Sequence, residues 1–202
     1  KKGTITEKEN YELKEKIKQN LANEIKFHLD LVDQSTLHPL ITKFFGYSPI
    51  NFEERHNPVM MLELLERGSL DGIIKVLSQG KTIDGWNETT RFIVIYGIAV
   101  SMAYLHSLDI IHRDLKPANI LINQDFIPKL NDFDISKKMP CDNEKNIVGT
   151  PQYIAPEIYR KKMYSKASDV YAFGILLYEL MMKILVLRLN NVFDPFNIIM
   201  YK

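Results

Sequence analysis

Apolar positions recur at spacings of three and four from Glu9 to about Leu31, where Leu13, Ile17, Leu21, Ile25 and His28 form one stripe. That spacing predicts an amphipathic helix. Pro39 ends it, and Leu40-Ile41-Thr42-Lys43-Phe44-Phe45 then reads as a strand. A polar loop follows over Asn51 to Pro58, then a second strand over Val59–Leu65, closed by the turn signal Arg67-Gly68-Ser69 ahead of a short helix. From Glu88 to Leu108 the pattern is helical again. Phe92, Ile95, Tyr96, Ala99, Met102 and Ala103 predict a long, largely buried helix. Short β-prone runs broken by Asp, Asn and Pro occupy Ile110 to Ile135, and Lys137 to Val148 reads as a loop. A final apolar helix runs from Val170 to about Lys183. A strand-containing start followed by helices predicts an α+β protein, with no internal repeats or low-complexity segment.

Composition changes this picture little. The 202 residues suit one globular domain or two small lobes. The 26 basic and 25 acidic side chains nearly cancel, which gives no positive field for nucleic acid or an anionic membrane. One cysteine, Cys141, excludes an intramolecular disulfide and fits a reducing compartment. The apolar run from Tyr171 to Leu189 carries Glu179, Lys183 and Arg188, so it reads as a buried helix and not a membrane span. The chain opens without a secretory signal, so the expectation is a soluble, cytoplasmic protein. Gly80-Lys81-Thr82 imitates the end of a phosphate-binding loop, but Lys75 stands where the first glycine is required. Cysteine and histidines are scattered without zinc-ligand spacing.

Chemistry concentrates in the middle of the chain. His112-Arg113-Asp114-Leu115-Lys116-Pro117-Ala118-Asn119 is followed by Asp132-Phe133-Asp134, and then by Gly149-Thr150-Pro151-Gln152-Tyr153-Ile154-Ala155-Pro156-Glu157. In order and spacing the three motifs resemble the eukaryotic protein kinase family, over the chain up to about Met182. The resemblance implies an incomplete two-lobe kinase fold, with residues 1–65 as a partial N-lobe and 66–202 as a partial helical C-lobe. It implies ATP and Mg²⁺ as cofactors, protein substrates and signalling. Asp114 would be the catalytic base, Lys116 the cation at the transferring phosphoryl group, and Asn119 and Asp132 the oxygen ligands of Mg²⁺. Glu63-Leu64-Leu65 resembles the hinge, whose backbone at Glu63 and Leu65 would hold adenine above Leu121; a buried strand with a turn fits the same pattern. Glu24 resembles the helix carboxylate that pairs with the strand lysine contacting ATP, here Lys1 or Lys2; a solvated surface glutamate is the alternative.

Lys116-Pro117 and the Gly149–Tyr153 stretch resemble the Ser/Thr-directed form of the family. Trp86, His106-Ser107 and Asp169–Gly174 lean toward its tyrosine-kinase-like branch. The chain also departs from the pattern. It contains no glycine-rich phosphate loop, and the helices that follow in kinases are not matched after the last one, so the chain reads as a fragment whose Glu157 lacks its arginine. Asp134 replaces a glycine that would permit a left-handed backbone, and His28 replaces an apolar residue on the family's internal spine. No Ser, Thr or Tyr lies between Ser136 and Thr150, so Arg113 meets no phosphorylated residue there; Asp142 and Glu144 are candidate substitutes. Two functions are therefore expected to compete: an active Ser/Thr kinase, or a pseudokinase scaffold that binds nucleotide and regulates partners.

Overall fold

A computed structural model describes residues 7–32, 38–51, 58–140 and 146–183, with side chains from residue 15 onward. The chain divides into two compact units. One comprises residues 1–37, 43–63 and 132–135; the other comprises 38–42, 64–131 and 136–202.

The first unit contains α1 (Glu7–Val32), β1 (Phe44–Ser48) and β2 (Val59–Leu62). The predicted stripe buries only its C-terminal half. Ile25, His28 and Leu31 are buried, whereas Ile17 is exposed. The side chain of Leu13 lies outside the described residues, as does most of the predicted polar loop after Asn51. β1 and β2 pair antiparallel, Tyr47 opposite Met60 and Phe44 opposite Leu62, with an irregularity between Phe44 and Gly46. The aromatic rings of Phe27, His28, Phe44 and Phe133 pack together in this unit.

The second unit holds α2 (Leu70–Ser78), α3 (Glu88–Ser107), β3 (Ile110–Ile111), β4 (Ile120–Ile122), β5 (Pro128–Leu130), β6 (Lys137–Lys138), α4 (Pro156–Lys161) and α5 (Lys166–Met182). Asn87 starts α3 with a capping box: its side chain accepts from Thr90 N, and the Thr90 hydroxyl accepts from Asn87 N. The long helix is as predicted, but its buried face is not. Val94, Ile98, Ser101, Met102 and Leu105 face inward, while Phe92 and Tyr96 are exposed. A helix apolar almost all round does not select its own inner face; neighbouring elements do. Gly97 shows the selection, because a Cβ there would stand 2.4 Å from Pro128 Cγ at the start of β5. β4 pairs antiparallel with β5, Ile120 opposite Leu130 and Ile122 opposite Pro128, and their alternating buried residues join this core.

The strand predicted over Leu40–Phe45 is split between the units. Ile41 bridges Leu130, and Leu130 N donates to Leu40 O, so this stretch lies beside β5; β1 begins only at Phe44. Partner availability, which propensity does not report, sets that boundary. β3 pairs with β6, Ile111 opposite Lys137, so the predicted loop after Ile135 begins with a short strand. Ser165 opens α5 four residues earlier than predicted; its N–H donates to the Ser168 hydroxyl, a polar first turn that apolar periodicity alone misses. Among the described residues no helix is long and apolar enough to cross a membrane.

Candidate active site

Ile111, fully buried in β3, delivers the chain into a loop that Asp169 on α5 holds in place. Asp169 Oδ2 accepts from His112 N at 2.9 Å and Oδ1 accepts from Arg113 N at 3.0 Å. His106 Nε2 lies 2.9 Å from the same carboxylate. These bonds fix Arg113 with φ +72°, a left-handed conformation that a non-glycine residue holds only when its surroundings determine it. Pro117 then opens a 3-10 turn over Pro117–Asn119, which leads into β4.

Asp114 and Asn119 are buried by this turn, and four hydrogen bonds reach the Asp114 carboxylate. Oδ1 accepts from Thr150 N at 2.8 Å and from the Thr150 hydroxyl at 2.7 Å. Oδ2 accepts from Lys116 Nζ at 2.5 Å and from Asn119 Nδ2 at 3.2 Å. Lys116 Nζ also donates to Thr150 Oγ1 at 2.9 Å, so one cation bridges the carboxylate and the hydroxyl. Asn119 Nδ2 donates to Asp114 O as well, which leaves the amide oxygen as its remaining donor for a hard cation. The structure thus brings together the three predicted catalytic residues of this unit.

Thr150 joins them because Gly149 permits a close approach. At φ +97°, a Cβ on Gly149 would lie 2.6 Å from Arg113 O. Pro151 begins a second 3-10 turn, over Pro151–Tyr153. Buried Tyr153 donates to Glu179 Oε2 on α5 at 2.7 Å. Burial and the adjacent carboxylate push the phenol's pKa upward and keep it a donor. Glu157, read as lacking its arginine, is half-buried in the first turn of α4.

In the same unit Ser69 forms an antiparallel bridge to Leu121, Ile122 N donates to Gly68 O, and Leu65 is buried. Leu121 is half-buried on β4.

The remaining predicted residues belong to the first unit. Glu63 N donates to Lys43 O at 2.9 Å. Glu24 is partly buried on α1 and accepts from Phe133 N. Its pKa rises to about 7, first through desolvation and then through the charges of Asp132 and Asp134. The left-handed residue of the Asp-Phe-Asp motif is Asp132, at φ +68°, and not Asp134. Asp134 therefore does not occupy the left-handed conformation that a glycine at this position would permit. Lys1, Lys2, Asp142 and Glu144 lie outside the described residues.

Sequence reasoning left Thr150, Gly149, Tyr164 and Asp169 without roles in the site. For Asp169 the signal was a carboxylate in the first turn of an otherwise apolar helix; for Gly149 and Thr150 it was their place in a motif read only for specificity. Arg113, for which only a phosphate or an acid was considered, places its guanidinium 4.4 Å from the Tyr164 ring centroid.

A carboxylate bridged by a lysine to a hydroxyl, beside an asparagine at a loop-to-strand turn, suits transfer of an anionic group to an alcohol. The family model described as protein kinase domain matches residues 4–201. The chain is 35% identical over 144 residues to the cAMP-dependent protein kinase type 3 of Saccharomyces cerevisiae, covering 71% of this chain and 33% of that one. It is 32% identical over 171 residues to the Aurora kinase of the same yeast, covering 84% and 44%. It is 37% identical over 129 residues to the G-type lectin S-receptor-like serine/threonine-protein kinase SRK of Arabidopsis thaliana, covering 60% and 15%. The chain therefore belongs to the protein kinase domain family, and it spans less than half the length of these relatives.

Proposed function

We propose that this chain transfers the terminal phosphoryl group of ATP to serine or threonine hydroxyls of protein substrates. The observation that carries the reading is the bond from the Thr150 hydroxyl to Asp114 Oδ1, at 2.7 Å, with Lys116 Nζ spanning both groups. An acceptor hydroxyl entering beside Asp114 would make the same kind of bond, and the carboxylate would take its proton. Lys116 is the cation for charge that spreads on the transferring group. One relative carries serine/threonine-protein kinase in its name, which supports the choice of acceptor.

Asn119 and Asp132 are proposed as the protein oxygens for Mg²⁺. The donor chemistry fits: the Asn119 nitrogen is committed to Asp114, and Mg²⁺ takes one or two protein oxygens, with phosphates and water completing its shell. Bound Mg²⁺ would neutralise phosphate charge. The backbone at Glu63 and Leu65, with Leu121, is proposed to hold adenine, and Glu24 to pair with Lys1. Residues 1–65 and 66–202 are read as portions of the two kinase lobes.

Labelled ATP and a generic protein substrate test the reading, wild type against Asp114→Ala. Loss of a general base should lower transfer about a hundredfold or more. Equal transfer by both proteins would remove Asp114 from the reaction, and nucleotide binding without transfer would favour a regulatory scaffold.

A further inference from the structure

We propose that Tyr164 is a positioning residue for phosphoryl transfer: it clamps the backbone at Val148 onto the catalytic loop and thereby seats Thr150 on Asp114. The inference rests on the kinase reading above and adds a residue to it. Tyr164 is 3% exposed. Its hydroxyl accepts from Val148 N at 2.8 Å and donates to Val148 O at 2.6 Å, so one oxygen satisfies both backbone groups of a residue outside any helix or strand. The Arg113 guanidinium lies over the Tyr164 ring, 4.4 Å from its centroid. That stack joins the residue before Asp114 to the residue that grips Val148.

The contacts close a circuit. Asp114 follows Arg113, Arg113 stacks on Tyr164, and Tyr164 holds Val148. Gly149 then passes against Arg113 O with no room for a Cβ, and Thr150 returns two bonds to Asp114 Oδ1. The ring also belongs to the core formed by Ile111, Ile154, Ala155 and Ile158. Phenylalanine would fill that space equally well, so core packing does not require the hydroxyl. No hydroxyl side chain lies between Ser136 and Thr150, so no phosphate can be added within that stretch to hold it. The clamp is built from the unmodified chain.

Tyr164→Phe keeps the ring and the stack and removes only the two bonds to Val148. Hydrogen exchange on the whole chain should show the Val148 and Thr150 amides opening about tenfold faster, with α5 amides unchanged. In the transfer assay kcat per folded enzyme should fall about tenfold while KM for ATP stays constant. The unchanged α5 amides separate this from a loss of global stability, which would lower apparent kcat by reducing the folded fraction. Tyr164→Leu, which also removes the stack, should lower kcat further; if it fails to fold, the phenylalanine variant still decides. Unchanged exchange at Val148 and Thr150 overturns the clamp, and faster exchange with wild-type kcat overturns its role in positioning. A wild-type chain that transfers no phosphate overturns the kinase reading and leaves the exchange result to decide the clamp.

Discussion

His28 is fully buried among Phe27, Phe44 and Phe133, and neither ring nitrogen has a hydrogen-bond partner. Desolvation lowers its pKa from 6.5 to about 4. Unfolded, the imidazole binds its proton near 6.5, so stability is complete above that value and is lost as pH falls toward 4. The loss amounts to about 3 kcal/mol at most. Glu24 has the opposite sign. Its pKa is raised from 4.5 to about 7, so its contribution is complete below 4.5 and is lost as pH rises through 7. Urea unfolding at several pH values separates the two. His28→Leu should remove the acid limb and add about 1–3 kcal/mol at neutral pH, because two unsatisfied polar atoms leave the core. A variant no more stable than wild type would contradict this account. Asp134→Gly removes one of the charges acting on Glu24, so the alkaline limb should move to lower pH.

The elements make their own predictions through close contact. Gly97 lets α3 approach the start of β5, and an added methyl would collide with Pro128. Gly97→Ala should therefore cost about 1–3 kcal/mol in chemical denaturation, although alanine is the better helix former. Propensity alone predicts the opposite sign, so the direction of change decides between them. The turn over Pro151–Tyr153 is tied to α5 through the Tyr153–Glu179 bond. Tyr153→Phe should lower stability by about 1–3 kcal/mol, since a buried carboxylate oxygen loses a donor. A change below a few tenths of a kcal/mol would show that the bond is replaced.

Over the whole molecule, the two units differ in how completely they bury their strands. β4 and β5 alternate fully buried residues, whereas no residue of β1 or β2 is fully buried. Hydrogen exchange should find the slowest amides in α3, β4 and β5, and faster ones in β1 and β2; the reverse order would contradict this assignment of the core. The long helices and the family were legible in the sequence because apolar periodicity and short catalytic motifs are local properties. Asp114, Lys116 and Asn119 were legible for the same reason, lying within six residues on one loop. The inner face of α3, the division of Leu40–Phe45 and the roles of Gly149, Tyr164 and Asp169 were not legible. Each depends on which distant backbone or side chain arrives within about 3 to 4 Å, in a close-packed interior that has no counterpart in local pattern. The sequence by itself determined the family and named the groups proposed to carry the chemistry. Only the tertiary structure decided what holds them, because Thr150 reaches Asp114 across 36 residues, through a glycine that leaves room for no side chain.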